Sequence, residues 1–202
     1  MSHHKVVLAT GNAGKVRELQ QLLAGAHYQI HPQSEFDTPE AIEDGLGFVE
    51  NALIKARNAA RHTGLPAIAD DSGIAVDALD GAPGIYSARY AGAGASDEQN
   101  LNHLLENMRG VDEKDRTARF ICLMVYVRHA QDPTPIICQG SWEGRLLESP
   151  QGENGFGYDP IFYVPEKACT SAQLSSEQKN AMSHRGKALR CLVEQLTELD
   201  NS

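Results

Sequence analysis

Nothing in the 202-residue chain approaches the roughly 20 consecutive apolar residues needed to span a bilayer. The apolar run at residues 6–9 is too short for the centre of a signal peptide, and no small-residue cleavage site follows it. Positive charge is in deficit: 18 Lys and Arg stand against 27 Asp and Glu, for a net charge of −9. That balance argues against a protein that tracks a nucleic-acid backbone, because neutralising phosphates needs a basic surface. It leaves room for one small polyanion where a few cations converge and a metal helps. Cysteine is sparse: Cys122, Cys138, Cys169 and Cys191 form no CxxC pair and no zinc spacing. They read as free thiols in a reducing cytosol. Aromatic residues make up 6%, with Trp142 the only Trp, which reads as core or as a subunit contact. Internal repeats and low-complexity linkers are also missing. With 41% hydrophobic and 22% charged residues, the chain reads as one soluble, globular domain.

What is present alternates between strand and helix signals. Residues 5–9 (KVVLA) read as a buried strand that stops at Thr10, Gly11 and Asn12. A helix is expected from about Gly14 to Gly25, with Val16, Leu19, Leu22 and Leu23 at helical spacing. Residues 31–47, with two prolines and five acidic residues, read as an irregular loop. A second helix is expected from about Phe48 to His62, closed by Gly64; Phe48, Val49, Ala52, Leu53, Ala56, Ala59 and Ala60 form its apolar face, with Asn51 and Lys55 beside it. Residues 65–69 read as a short strand ending at Asp70, Asp71, Ser72 and Gly73, and residues 74–79 as another. Ser96 and Gln99 form a capping box that opens a helix ending at Gly110. Residues 118–127 and 135–142 read as a hairpin around Asp132 and Pro133. A last helix starts near His184. The expected fold is α/β, on a mixed sheet with flanking helices.

Four groups can carry chemistry. In the first, Thr10, Gly11, Asn12, Ala13, Gly14 and Lys15 make a tight turn at a helix start, where amides and one cation can face an anion. It is not a Walker A loop, since Ala9 and Val16 stand where that motif needs Gly and Ser or Thr, and such a junction also serves as a plain turn. In the second, Asp70 and Asp71 pair two carboxylates at a strand end, suited to Mg²⁺ or to accepting a proton from water. An Asx turn or helix cap would use the same residues. In the third, Phe156, Gly157, Tyr158 and Asp159 place aromatic faces among glycines, where a flat ligand can approach the backbone; a glycine-rich bulge is the plainer alternative. In the fourth, His184 and Arg185 are cations at a helix N-terminus, which the helix dipole disfavours. Lys179 lies five residues before His184.

Together these blocks resemble a known family. TGNAGK at 10–15, ENALIKA at 50–56, ADDSG at 69–73, GAPGIYSARY at 81–90, GFGYDP at 155–160 and SHRGKAL at 183–189 are similar, in order, to the inosine triphosphate pyrophosphatases. The resemblance implies a long mixed central sheet, two lobes around an active-site cleft, a homodimer, and Mg²⁺-dependent hydrolysis of ITP, dITP and XTP to the monophosphate and pyrophosphate in the cytoplasm. It implies that Thr10, Gly11, Asn12, Ala13, Gly14, Lys15 and Lys55 bind the triphosphate. Asp71 would be the proton acceptor and a metal ligand, with Glu43 a second acidic group at the metal and Asp70 supporting them. Ser72 would contact substrate. Phe156, Gly157, Tyr158 and Asp159 would hold the base and sugar side, Lys179 would contact the nucleotide, and His184 and Arg185 would read the base. Two other readings remain: a Maf-like pyrophosphatase for other modified nucleotides, disfavoured by SHR and GFGYDP, and a nucleotide-binding module without turnover, disfavoured by Asp70 and Asp71.

Overall fold

Seven strands and four helices follow one another through residues 4–11, 16 and 28–200, the residues described by this computed structural model. The expected loop residues Asn12, Ala13, Gly14 and Lys15, and all of the expected first helix except Val16, lie outside them. The strands are β1 (His4–Leu8), β2 (Tyr28–Pro32), β3 (Ala67–Val76), β4 (Thr117–Val127), β5 (Ile136–Leu146), β6 (Phe162–Val164) and β7 (Cys169–Thr170). They form one sheet in the order β2-β1-β3-β4-β5-β6-β7. β1 runs parallel to both β2 and β3, and β6 runs antiparallel to β5 and β7, so the sheet is mixed. The helices are α1 (Phe48–Thr63), α2 (Asp97–Asn107), α3 (Ser176–Met182) and α4 (His184–Asp200).

β2 falls at the start of the stretch expected to be irregular. It is a sheet edge, where Pro32 can end a strand without breaking a ladder, and its short polar-apolar alternation is weakly marked. A larger difference concerns β3. The acidic DDSG stretch neither ends a strand nor forms a turn: the backbone stays extended from Ala67 to Val76. Polar side chains are tolerated there because partners on each face of the sheet receive them. α1 matches its expected span, and Gly64 closes it at φ 68°, a left-handed cap open to glycine. Its buried face is narrower than expected: Val49 is exposed, while Asn51, Ala52, Ala56, Ala59 and Ala60 are buried.

The chain divides into two compact units: Met1–Asp71 with Cys122–Gly140 and Arg185–Ser202, and Ser72–Ile121 with Ser141–His184. Each has its own apolar core. In the first, Val6, Leu8, Ile68, Cys122 and Met124 pack with Ala188, Leu189, Leu192 and Leu196 of α4. In the second, Leu101, Leu104 and Met108 pack with Phe120, Trp142, Tyr158 and Phe162. Trp142 is therefore core. The capping box of α2 forms as the sequence implies, Ser96 accepting from the Gln99 amide and Gln99 from the Ser96 amide, and Gly110 follows the helix at φ 80°.

Candidate active site

A strand sends successive side chains to opposite faces, and β3 uses this to separate its two carboxylates. Ile68 belongs to the core built on α4, and Asp70, two residues on, shares its face. There Asp70 Oδ2 meets the Arg185 Nε at 3.6 Å, with both side chains buried. Asp71 turns the other way, and its Oδ1 accepts a 2.9 Å hydrogen bond from Lys55 Nζ. Lys55 projects from α1, whose alanines allow the helix to lie close against β1. The same ammonium lies 3.3 Å from Glu43 Oε2. Burial alone would lower the Lys55 pKa; the surrounding charges of Asp71, Asp70 and Glu43 outweigh it and hold the ammonium above its ordinary range.

Glu43 reaches this cluster from a loop with no regular structure, and the start of α1 anchors that loop. The buried Asn51 accepts from the Gly45 amide at 2.9 Å through Oδ1. A Cβ on Gly45 would stand 2.6 Å from the Glu50 Cβ, so this approach needs glycine. Glu50 accepts from the amides of Leu46 and Gly47, the half of a capping box that does not need a side chain at the cap. Asn51 is thus a positioning residue that helical periodicity placed beside the apolar stripe and the structure buries. Its signal was its position four residues before Lys55.

The donor set suits a hard divalent cation. Two carboxylates, from Glu43 and Asp71, already converge on one positive group. Among the described residues no group of three or more His, Cys, Asp or Glu forms a metal cage. Mg²⁺ needs none, because it is usually held by one or two carboxylates with water and phosphate oxygens completing its shell.

The second unit holds another polar cluster. Asp159 is buried and accepts from Lys179 Nζ at 2.7 Å, from the Phe156 amide at 2.9 Å and from the Ser171 hydroxyl. Lys179 Nζ also sits over the Phe156 ring, 5.0 Å from its centre. Gly155, at φ 81°, lets the chain pass Asp159, since a Cβ there would collide with its carboxylate. The Gly157 amide donates to Asp97, at the start of α2. Lys179 lies on the short helix α3, which Ser183 separates from α4; the last helix starts at His184 as expected, and α3 carries no expectation of its own. Ser171 was not anticipated, and no spacing signal marks it.

Tyr158 lies deeper than Phe156. Its ring is 5% exposed within the second core, and its hydroxyl donates to the Ser87 carbonyl at 2.7 Å. Burial pushes the phenol's pKa upward. The residue braces the loop, whereas Phe156 is half-buried. Ser87 is a junction, accepting from the Ile74 amide and donating to the Gly84 carbonyl. His184 is also buried, and its ring stacks on Phe120 at 4.8 Å and 11°. Ser72 is half-buried on β3, Thr10 is half-buried and Gly11 is exposed just past β1. The chain passes from one unit to the other at Asp71 and Ser72 and again at His184 and Arg185, so two of the four motif blocks sit where strands or helices change units.

The family model described as the Ham1 family matches residues 6–195. The chain belongs to the Ham1 family. A relative from Thioalkalivibrio sulfidiphilus, named dITP/XTP pyrophosphatase, is 63% identical over 95% of this chain and 98% of its own. One of the same name from Vibrio cholerae is 60% identical over 96% of this chain and 97% of its own. Among solved structures, a HAM1 protein from Coxiella burnetii superposes with a TM-score of 0.90 at 49% identity, covering 96% of this chain and 99% of the other. A nucleoside-triphosphatase, dITP/XTP pyrophosphatase, from Mycobacterium abscessus does so with 0.76 at 39% identity, covering 93% and 98%. The mixed α/β fold with its seven-stranded sheet is thus the Ham1 fold. No helix among the described residues of this Ham1 chain is long and apolar enough to cross a membrane.

Proposed function

We propose that the chain hydrolyses non-standard purine nucleoside triphosphates, dITP and XTP and with them ITP, to the monophosphate and pyrophosphate. The observation that carries this reading is the Lys55 ammonium set against the carboxylates of both Asp71 and Glu43, in a chain about 60% identical over its length to enzymes named for dITP and XTP. Mg²⁺, a homodimer and a cytoplasmic setting belong to the same proposal.

A triphosphate carries about four negative charges near neutral pH, which an acidic protein must meet locally. Lys55 supplies one fixed positive charge, and its raised pKa keeps it charged throughout the physiological range. Thr10, Gly11 and the residues up to Lys15 contribute amides and a second lysine. Glu43 and Asp71 would hold Mg²⁺, which when bound offsets charge on the phosphate oxygens. Asp71 positions a water against the α-phosphorus and takes its proton, and the leaving pyrophosphate is met by Lys55 and Lys15. Catalysis is then positioning plus electrostatic stabilisation.

Base choice falls to hydrogen-bond donors. Hypoxanthine and xanthine present an acceptor at position 6, where adenine presents a donor. Arg185 and His184 donate to that oxygen and leave adenine's amino group facing N–H groups. Phe156, Gly157, Tyr158 and Asp159 contact the base and sugar, and Lys179 contacts the nucleotide.

The decisive experiment is pyrophosphate release from dITP, XTP, ITP and dATP, with and without Mg²⁺. Release from the first three only, and only with the metal, is expected. Equal consumption of dATP, or no release from any of the four, overturns the reading.

A further inference from the structure

Two of the four cysteines are brought together by one side chain. Cys138 on β5 and Cys191 on α4 pack in the same apolar core. The Gln195 side-chain amide, one helical turn beyond Cys191, touches both sulfurs, at 3.4 Å to Cys138 and 3.3 Å to Cys191. All three residues belong to the first unit. Cys138 is buried at 1% exposure, while Cys191 is half-buried, so one thiol is sheltered and the other can meet a solute. Cys122 is buried in the same core.

We infer that Cys138 and Cys191 are a thiol pair set to close into a disulfide when the protein meets a hydroperoxide. The half-buried Cys191 attacks the peroxide O–O bond and becomes a sulfenic acid, with one water released. The Cys138 sulfur then displaces the sulfenic oxygen, the S–S bond forms, and the Cys138 proton leaves with that oxygen as a second water. Two thiols lose two electrons and one peroxide gains them. Cys191 reacts first because Cys138 is buried away from solvent; burial also pushes the Cys138 pKa upward. The Gln195 amide holds the two sulfurs in register. The resulting bridge would tie α4, the helix that begins at His184 and Arg185, to the middle of the sheet.

The test uses the full chain in its reduced form, exposed to hydrogen peroxide at a few molar equivalents and then alkylated. Non-reducing peptide mapping is expected to yield one cross-linked peptide joining Cys138 to Cys191, with the mass of two hydrogens lost, and dithiothreitol is expected to release it. Thermal unfolding of the oxidised protein is expected several degrees higher, because a cross-link restricts the unfolded chain. Cys191→Ser, at the half-buried position, should abolish both changes while Cys169→Ser keeps them. Four alkylated thiols after oxidation, a bridge through Cys122 or Cys169, a sulfinic acid on Cys191, or a lower melting temperature on oxidation would each overturn the inference. None of these readouts depends on nucleotide turnover, so they stand apart from the proposed activity.

Discussion

Asp70 and Asp71 are neighbours in sequence and strangers in environment. Asp70 balances Arg185 within a core face, and Asp71 balances Lys55. A buried carboxylate without a cation would be costly, and each has one. Replacing Asp71 with Asn keeps the shape and removes the proposed proton acceptor. Turnover is expected to fall by about 10²–10⁴-fold, with nucleotide affinity measured by calorimetry changing little; near-normal turnover would remove Asp71 from the chemistry. His184 is tied into the Phe120 and Trp142 stack, so His184→Ala disturbs packing as well as recognition. The informative quantity is therefore a ratio. The kcat/KM for dITP relative to dATP should drop by about tenfold or more, the scale of one buried hydrogen bond at ~1–3 kcal/mol, and a constant ratio would sink the assignment.

The β4–β5 hairpin shows how a short segment is closed by one carboxylate. Asp132 is buried and accepts from the Arg128 amide and guanidinium and from the Thr134 amide. The hydrogen bonds from the Arg128 side chain, ahead of the burial that opposes them, hold its pKa far below the usual carboxylate range. Arg57 of α1 adds a contact to the Asp132 carbonyl, tying the turn to the helix that carries Lys55. Asp132→Asn should lower stability by ~1–3 kcal/mol at neutral pH, toward the lower figure because Arg128 is nearly half exposed and solvent screens it. A depressed folded-state value contributes stability above the unfolded value of about 3.9 and loses it as pH falls through the folded one. Urea titrations should therefore show a constant gap between wild type and variant from neutral pH to about 4, narrowing in stronger acid. A gap that persists unchanged would mean the charge plays no part.

Two apolar cores share three strands: β3, β4 and β5 each begin in one unit and end in the other. A strand cannot lose half its ladder without exposing backbone groups in the other half, so the units are expected to unfold together. Leu104→Ala in one core and Leu192→Ala in the other, both fully buried, should each cost ~2–5 kcal/mol. By calorimetry each should move a single transition downward. Two separate transitions, with each variant shifting only one, would show the cores to be independent. At this scale the net charge of −9 still excludes a general polyanion surface, so affinity for a nucleotide has to be local.

Local chemistry was legible in the sequence. Alanines at helical spacing made α1, Ser96 and Gln99 made a cap, and the apolar runs made β4 and β5, because each depends on residues within a turn or two. The motif blocks placed the chain in its family for the same reason, as short stretches of residue types in a set order. The tertiary structure decided what depends on contacts far along the chain. β3 runs straight through its two aspartates because α1 and α4 supply a cation for each face. Tyr158 was drawn into the core by the carbonyl of Ser87, 71 residues away. Asn51 was buried by a loop that folds back on it, and Cys138 met Cys191 only once α4 lay on the sheet. Periodicity reports which side of an element is apolar; only packing reports what waits there.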